Sequence, residues 1–123
     1  MEYVVRNAKK TEHFTAGDTC SIAEIMHPKN DTLPFDSLSL AHAEIAPHGK
    51  TTPHKLTGSS EIYYIISGTG SLFIQGTKIQ LTPGTAAAVP PACEQYVINE
   101  GAEPLEFLCI VTPQWKKEEE IIL

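Results

Sequence analysis

Glycine and proline interrupt this chain every few residues, and that spacing restricts it to short structural elements. The sequence holds 8 glycines and 9 prolines, and most of them fall between apolar stretches rather than inside them. Gly68-Thr69-Gly70, Gly76-Thr77 and Pro83-Gly84 are predicted to be tight turns, because glycine tolerates positive φ and proline fixes φ at a turn value. No long window carries an apolar stripe at helical spacing, so we expect no long helix.

The stretches between these turns have the composition of β-strands. They are rich in Ile, Val, Tyr, Phe and Thr, and most are separated by only a few residues. Many short strands joined by turns predict an all-β sandwich or barrel. The predicted strands are Ser21–Met26, Leu38–Ala46, Glu61–Ser67, Ser71–Gln75, Lys78–Leu81, Thr85–Val89, Glu94–Asn99 and Leu105–Thr112.

The last predicted strand, Leu105–Thr112, is apolar on both of its alternating faces apart from Glu106. One face carries Leu105, Phe107, Cys109 and Val111, and the other carries Leu108 and Ile110. A strand buried on both faces needs a covering layer on each side, so we expect a homodimer. Trp115 is expected to anchor the tail on the barrel end or on a partner chain. The charge run that follows, residues 116–120, is expected to be a solvated end.

Size and charge narrow the class of protein. The 123 residues suit a single domain, predicted to span 1–123 around a barrel core of about 38–112. The net charge of −6, with no basic cluster, disfavours nucleic acid and anionic membranes as partners. The sequence has no apolar run long enough to span a bilayer, no secretory leader at Met1–Arg6 and three scattered cysteines. We therefore expect a reduced, cytoplasmic protein.

One stretch, Gly49–Gly68, concentrates residues that can carry chemistry. It places His54 ahead of an apolar strand and Glu61 at the start of that strand. A carboxylate that leads so apolar a strand is costly unless it reaches solvent or has a partner such as a metal ion. Imidazole nitrogen and carboxylate oxygen together suit Mn, Fe, Ni, Co or Zn, and this donor set does not choose among these metals.

The same stretch resembles the first cupin motif, G-x5-H-x-H-x3-4-E-x6-G. His54 falls on its first histidine, Glu61 on its glutamate and Gly68 on its closing glycine, while Gly49 sits one residue closer than the pattern asks. A later stretch, Gly84–Asn99, is similar to the second motif, G-x5-P-x-G-x2-H-x3-N.

The resemblance covers Leu38 to Thr112. It implies a double-stranded β-helix, or jelly-roll barrel, with an interior pocket for a divalent transition metal and a small-molecule substrate.

Two of the four metal ligands that the resemblance implies are replaced. Leu56 stands at the second histidine and cannot ligate, and Gln95 stands at the histidine of the second motif. Glutamine can ligate only through a neutral carbonyl oxygen, which is a weaker donor for transition metals. The candidate ligands are therefore His54, Glu61 and Gln95. His42, on the preceding strand, could supply the missing imidazole if its face is the interior, and an outer or interface position is the alternative.

Tyr63 is the candidate catalytic residue. It lies two residues after Glu61, so both side chains point to the same side of the strand. A tyrosine beside that carboxylate could act as an acid, a base or a clamp on a ligand. The alternative is a core aromatic residue whose hydroxyl is simply satisfied.

Three functions stay open at this point. The resemblance implies a metal-dependent enzyme acting on small polar substrates, with dioxygenase, isomerase, decarboxylase or lyase chemistry. The lost ligands favour a metal-free barrel that binds a small metabolite without catalysis. A structural or subunit-interaction role is supported only by the doubly apolar last strand.

Overall fold

The computed structural model of the protein describes residues 3–17 and 19–123. Met1 and Glu2, where the predicted domain begins, and Asp18 lie outside the described residues. Two single-turn 3-10 helices, Ala8–Lys10 and Lys117–Glu119, are the only helices in the described part of the chain. In that part no helix is long and apolar enough to span a membrane. The strands are β1 Phe14–Thr15, β2 Ser21–Met26, β3 Ser39–Ile45, β4 His54–Leu56, β5 Ser60–Ser67, β6 Gly70–Ile74, β7 Thr77–Leu81, β8 Ala86–Val89, β9 Gln95–Ile98, β10 Leu105–Thr112 and β11 Glu120–Ile122.

These strands form two antiparallel sheets that make a barrel, as the sequence predicts. One sheet has the order β1-β2-β3-β10-β5-β8, and the other has the order β11-β4-β9-β6-β7. Alternate side chains of each sheet point inward and bury one shared core. Its largest contributors include Ile65, Leu72, Leu81, Leu105 and Phe107, all nearly inaccessible to solvent.

The strand β10 shows how the alternation positions the core. It lies between β3 and β5 in the six-stranded sheet, and its burial alternates along its whole length. Leu105, Phe107, Cys109 and Val111 are buried inward, while Leu108 and Ile110 are half-buried on the outer face. The two faces assigned from the sequence are therefore correct.

Gly68 provides the corner between the sheets, where β5 ends and β6 begins. Its φ is +85°, in the left-handed region that side chains disfavour. A Cβ at this position would also collide with the carbonyl oxygen of Pro104. Glycine is thus required here by both conformation and space, which explains its place at the end of the motif.

Three short strands escape the sequence analysis: β1, β4 and β11. Each has only two or three residues, too few for a period of two to be visible. The expectation of a solvated tail is wrong for its last part, because β11 pairs with β4. Glu120 lies opposite Leu56 in this pairing, and Ile122 lies opposite His54. The C-terminal tail therefore forms an edge of the barrel beside a predicted site residue.

The homodimer stays a prediction, and the outer face of the six-stranded sheet is where we expect the partner copy. Tyr64 and Ile66 there are 44% and 41% exposed, and Leu108 lies directly opposite Tyr64. Together with Ile62 and Ile110 they form a continuous apolar strip, which isolated soluble chains seldom expose. Light scattering at tens of micromolar should report about twice 13.4 kDa.

Tyr64→Lys should weaken this dimer at least tenfold, about 1.4 kcal/mol, because the contact would bury an unpaired charge. Thr77→Lys adds the same charge to an exposed position of β7, on the other sheet, and should leave the dimer intact. A monomeric wild-type chain at these concentrations, or equal effects of the two variants, would contradict the prediction.

Candidate functional site

The space between the two sheets contains a cavity of about 110 Å³. Most of its wall is apolar and comes from both sheets, with contributions from Ile22, Ala41, Ala43, Val97, Phe107 and Val111. Against this wall stand the polar side chains of His54, Glu61 and Tyr63. A mainly apolar cavity with a few converging polar groups is the usual form of a small-molecule site.

A hydrogen bond between the two sheets organises the polar end of the cavity. The hydroxyl of Tyr63, on β5, donates to Oε1 of Gln95, on β9 of the opposite sheet. Oε1 of Glu61 lies 3.5 Å from the same hydroxyl. All three side chains are at least nine-tenths buried. Tyr63 lines the cavity, and its hydrogen bond to Gln95 holds its hydroxyl in a fixed position beside the Glu61 carboxylate.

His54 lies next to this group, because β4 pairs with β9 so that His54 is opposite Gln95. Its ring is buried, and Nδ1 lies 3.0 Å from the carbonyl oxygen of Thr52. A carbonyl oxygen can only accept, so Nδ1 carries the proton of this bond. In the neutral ring, Nε2 is then the nitrogen that can accept a proton or bind a ligand.

His42 is not brought to this group. Its neighbours Ala41 and Ala43 line the cavity, so alternation turns His42 to the outer face of the six-stranded sheet. There its Nε2 lies 2.7 Å from Oε2 of Glu106, and its Nδ1 lies 2.9 Å from Nε2 of His13. His42 therefore has the outer position that the sequence analysis left as its alternative.

The contacts of His42 form a chain that ties the N-terminal segment to the barrel. At its far end, Nδ1 of His13 lies 3.1 Å from the carbonyl oxygen of Thr11. Both ends of the chain, this carbonyl and the Glu106 carboxylate, can only accept. All three contacts are hydrogen bonds only when the two rings carry three protons, and hence one positive charge between them.

The open end of the cavity is formed by Trp115, which the sequence analysis expected to anchor the tail, and by residues that it did not select. Phe14 and Gly17 are exposed members of its wall, and Trp115 and Glu120 line it from the C-terminal tail. Trp115 Nε1 donates to Glu120 Oε2 over 3.0 Å, and the Trp115 carbonyl accepts from His27 Nε2 over 2.7 Å. In the sequence Glu120 belongs to a run of charges, so nothing distinguishes it from its neighbours.

The donor set at the polar end fits a tightly held transition-metal ion poorly. His54 and Glu61 are the two strong donors at the four motif positions. Leu56, 3% exposed, fills the third position with hydrocarbon, and Gln95 Oε1 accepts from Tyr63. Among the residues that the structure describes, no three His, Cys, Asp or Glu side chains are arranged to hold an ion. Metal binding at this site therefore stays a prediction.

The fold and the cavity define a class, the small β-barrel with an interior cavity. The model of the cupin domain matches residues 41–111, more than half of the chain. The chain therefore belongs to the cupin family, as its two motifs indicate.

Several known proteins resemble the chain along most or all of its length. An uncharacterised protein of Methanocaldococcus jannaschii is 30% identical over 123 residues, covering 100% of this chain and 97% of that protein. The structure of a predicted oxalate decarboxylase from Thermotoga maritima superimposes with a TM-score of 0.77 at 20% identity, covering 89% of this chain and 99% of that one. That of Streptomyces Pac13, a nucleoside dehydratase, gives 0.79 at 14% identity, covering 99% and 92%. Enzymes are thus among the proteins that share the fold.

The effect of pH on Glu106 tests the series of hydrogen bonds that runs from Thr11 through His13 and His42 to Glu106. The hydrogen bond from His42 holds the pKa of Glu106 below its ordinary value, against the opposing effect of partial burial. A lowered folded-state pKa contributes stability above the ordinary value, and this is lost as the pH falls through the lowered one. From about pH 6 to about pH 3, the wild type should therefore lose more free energy of unfolding than Glu106→Gln, by up to about 1 kcal/mol.

Urea unfolding across this pH range measures the difference. Glu103→Gln removes the same charge from an exposed loop and should keep the wild-type slope. If Glu106→Gln and Glu103→Gln give the same dependence of the free energy of unfolding on pH, the hydrogen bond between His42 and Glu106 has no role in stability.

The metal site can be tested by restoring the missing donors. Leu56→His with Gln95→His adds two imidazoles near His54, because Gln95 lies opposite His54 in the strand pairing and Leu56 lies two residues along the same strand, on the same side. Calorimetric titration with Ni²⁺ or Zn²⁺ should show binding at least tenfold tighter than in the wild type, about 1.4 kcal/mol. The gain should shrink below about pH 6, where imidazoles take up protons.

Adding His54→Gln to this double variant should abolish the gain, because the new site needs all its nitrogens. Melting curves with and without metal separate ligation from loss of folding. If the folded double variant binds metal no better than the wild type, the four motif positions do not converge on one point.

Proposed function

We propose that this chain is a small-molecule cupin enzyme whose cavity performs proton-transfer chemistry, of the isomerase or lyase type, with Glu61 and Tyr63 as the reacting groups and His54 as a group that holds the ligand. The observation that supports it is the buried Glu61–Tyr63–Gln95 arrangement at the polar end of a mainly apolar cavity. Glu61 is the candidate base, because its carboxylate offers acceptor oxygens only. Tyr63 is the candidate acid.

The positions of the two groups suit general acid–base catalysis. The Tyr63 hydroxyl has one proton, and Gln95 fixes its direction. With the Tyr63 proton directed to Gln95, the Glu61 carboxylate can accept from a ligand hydroxyl or take a proton from carbon. Tyr63 then donates its proton to a ligand oxygen. Over the whole step Glu61 gains a proton from carbon and Tyr63 loses one to oxygen.

His54 completes the arrangement from the five-stranded sheet. Its Nδ1 proton is committed to Thr52, so the ring presents Nε2 as an acceptor. Because His54 and Glu61 both line the cavity, the site can hold a ligand with more than one donor, such as a polyol. The apolar wall excludes water from the remainder of the ligand, which strengthens each of these hydrogen bonds.

A metal-dependent enzyme is the second candidate, and family membership favours it. An ion at His54 and Glu61 would act as a Lewis acid toward a ligand oxygen. We prefer proton transfer because the two replaced donors weaken the site for metal, whereas the Glu61–Tyr63 pair is already assembled.

Proton abstraction can be measured before the natural substrate is known. In D₂O, the wild type should accelerate exchange of the carbon-bound protons of neutral hydroxyketones, with dihydroxyacetone as the smallest probe, followed by proton NMR. Glu61→Gln should slow this exchange about 100-fold or more, the usual loss when a general base is removed. Tyr63→Phe should slow it about tenfold or more, because the developing oxyanion loses its donor.

His48→Gln changes an exposed histidine away from the cavity and serves as the matched control. Its exchange rate should equal that of the wild type. Melting curves must accompany Tyr63→Phe, because Gln95 then loses its partner at a cost of about 1–3 kcal/mol. A wild type that exchanges none of the probes, or a folded Glu61→Gln that exchanges them at the wild-type rate, would contradict the proposal.

A further inference from the structure

We infer that the cavity admits uncharged or cationic small molecules and rejects anions, an inference that rests on the proposed function. Three carboxylates line the cavity: Glu24, Glu61 and Glu120. Neither lysine nor arginine is among its lining residues in the described part of the chain, and His54 is the one basic side chain there. The wall therefore offers negative charge at both its polar end and its open end.

The basic residues of the described chain are placed elsewhere. The guanidinium of Arg6 pairs with Asp31, and Lys78 lies 3.5 Å from Glu100. The cavity shares Glu24 and Trp115 with an adjoining surface hollow, which is lined by three lysines and three acidic residues: Lys29, Lys116, Lys117, Glu24, Asp36 and Glu118. With Glu24 counted once, the cavity and the hollow together hold five carboxylates and three lysines, so the hollow does not reverse the negative character of the cavity.

Glu24 and Glu120 are both hydrogen-bonded to neutral donors. Glu24 Oε1 accepts from the amide of Asn30 over 2.7 Å, and Glu120 Oε2 accepts from the indole of Trp115 over 3.0 Å. Both donors are neutral, so they orient the carboxylates without cancelling them. Both glutamates are half-buried, and solvent screens them less than it screens surface charges.

These charges select among ligands. An anion entering the cavity would lose hydration and face carboxylates without a lysine or arginine to pair with it. An ammonium group could pair with the Glu120 carboxylate, which lies at the N–H edge of the Trp115 indole. A neutral hydroxyl or carbonyl group would suffer neither penalty. The substrate class is thus a small neutral molecule or amine, and phosphates and carboxylates are excluded.

The charge preference can be measured with three probes of one shape: isobutylamine, isobutanol and isobutyrate. Amide-detected NMR titrations of the full chain at constant ionic strength report which resonances move and at what concentration. We expect isobutanol and isobutylamine to shift resonances of cavity residues, and isobutyrate to bind at least tenfold more weakly than isobutanol. Glu120→Gln and Glu24→Gln should each reduce the amine-to-carboxylate affinity ratio at least threefold.

Glu103→Gln removes the same charge from an exposed loop, and its affinity ratio should equal that of the wild type. Isobutyrate binding as tightly as isobutanol overturns the inference and leaves the proposed function standing, because the cavity still binds small molecules. Equal affinity ratios in Glu120→Gln, Glu24→Gln and Glu103→Gln also overturn it. If no probe moves a cavity resonance, the ligand cavity and the inference fail together.

Discussion

The hydrogen bond from Tyr63 to Gln95 crosses the interior of the barrel, and the arrangement of the site depends on it. It joins β5 of one sheet to β9 of the other within the space between them. Buried polar groups are tolerated when their bonding capacity is met, and no buried side-chain nitrogen or oxygen in the described residues lacks a partner. Meeting this requirement fixes Tyr63 beside Glu61, and the pairing of β4 with β9 sets Gln95 opposite His54.

The four ligand positions of the cupin motifs keep their spacing in this chain, while the chemistry of the residues at them differs. His54 and Glu61 keep an imidazole and a carboxylate, whereas Leu56 contributes only hydrocarbon to the cavity wall. The bond that Gln95 accepts from Tyr63 uses the oxygen that would otherwise be its ligand atom. The chain thus keeps the cupin fold while two of the residues at the ligand positions are replaced. For this reason membership of the family does not by itself fix the reaction.

Much of the barrel could be predicted from sequence because the strands that form its core are long enough to show alternation. Ser21–Met26 and Leu105–Thr112 have the predicted bounds, and the pairing of Glu61 with Tyr63 on one face follows from the same period. The strands β4 and β11 could not be predicted, since three residues held by long-range pairing carry no periodic signal. For the same reason the position of Glu120 at the cavity was hidden within a charge run.

His42 shows a different limit. Its strand was predicted, but alternation defines two faces without saying which one is interior. Ala41 and Ala43 give little hydrophobic contrast against Leu40, so the sequence pattern does not resolve the choice. The fold resolves it by placing the two alanines at the cavity wall, and His42 then binds Glu106 and His13 outside.

The central claim is that the cavity acts through its own side chains, and dependence on metal tests it most directly. Untagged protein would be assayed for hydroxyketone proton exchange before and after exhaustive dialysis against EDTA, with metal content measured in the same samples. The account predicts an exchange rate that is unchanged by chelation and by subsequent addition of Mn²⁺, Ni²⁺ or Zn²⁺. A rate that disappears with EDTA and returns with one of these ions would contradict it.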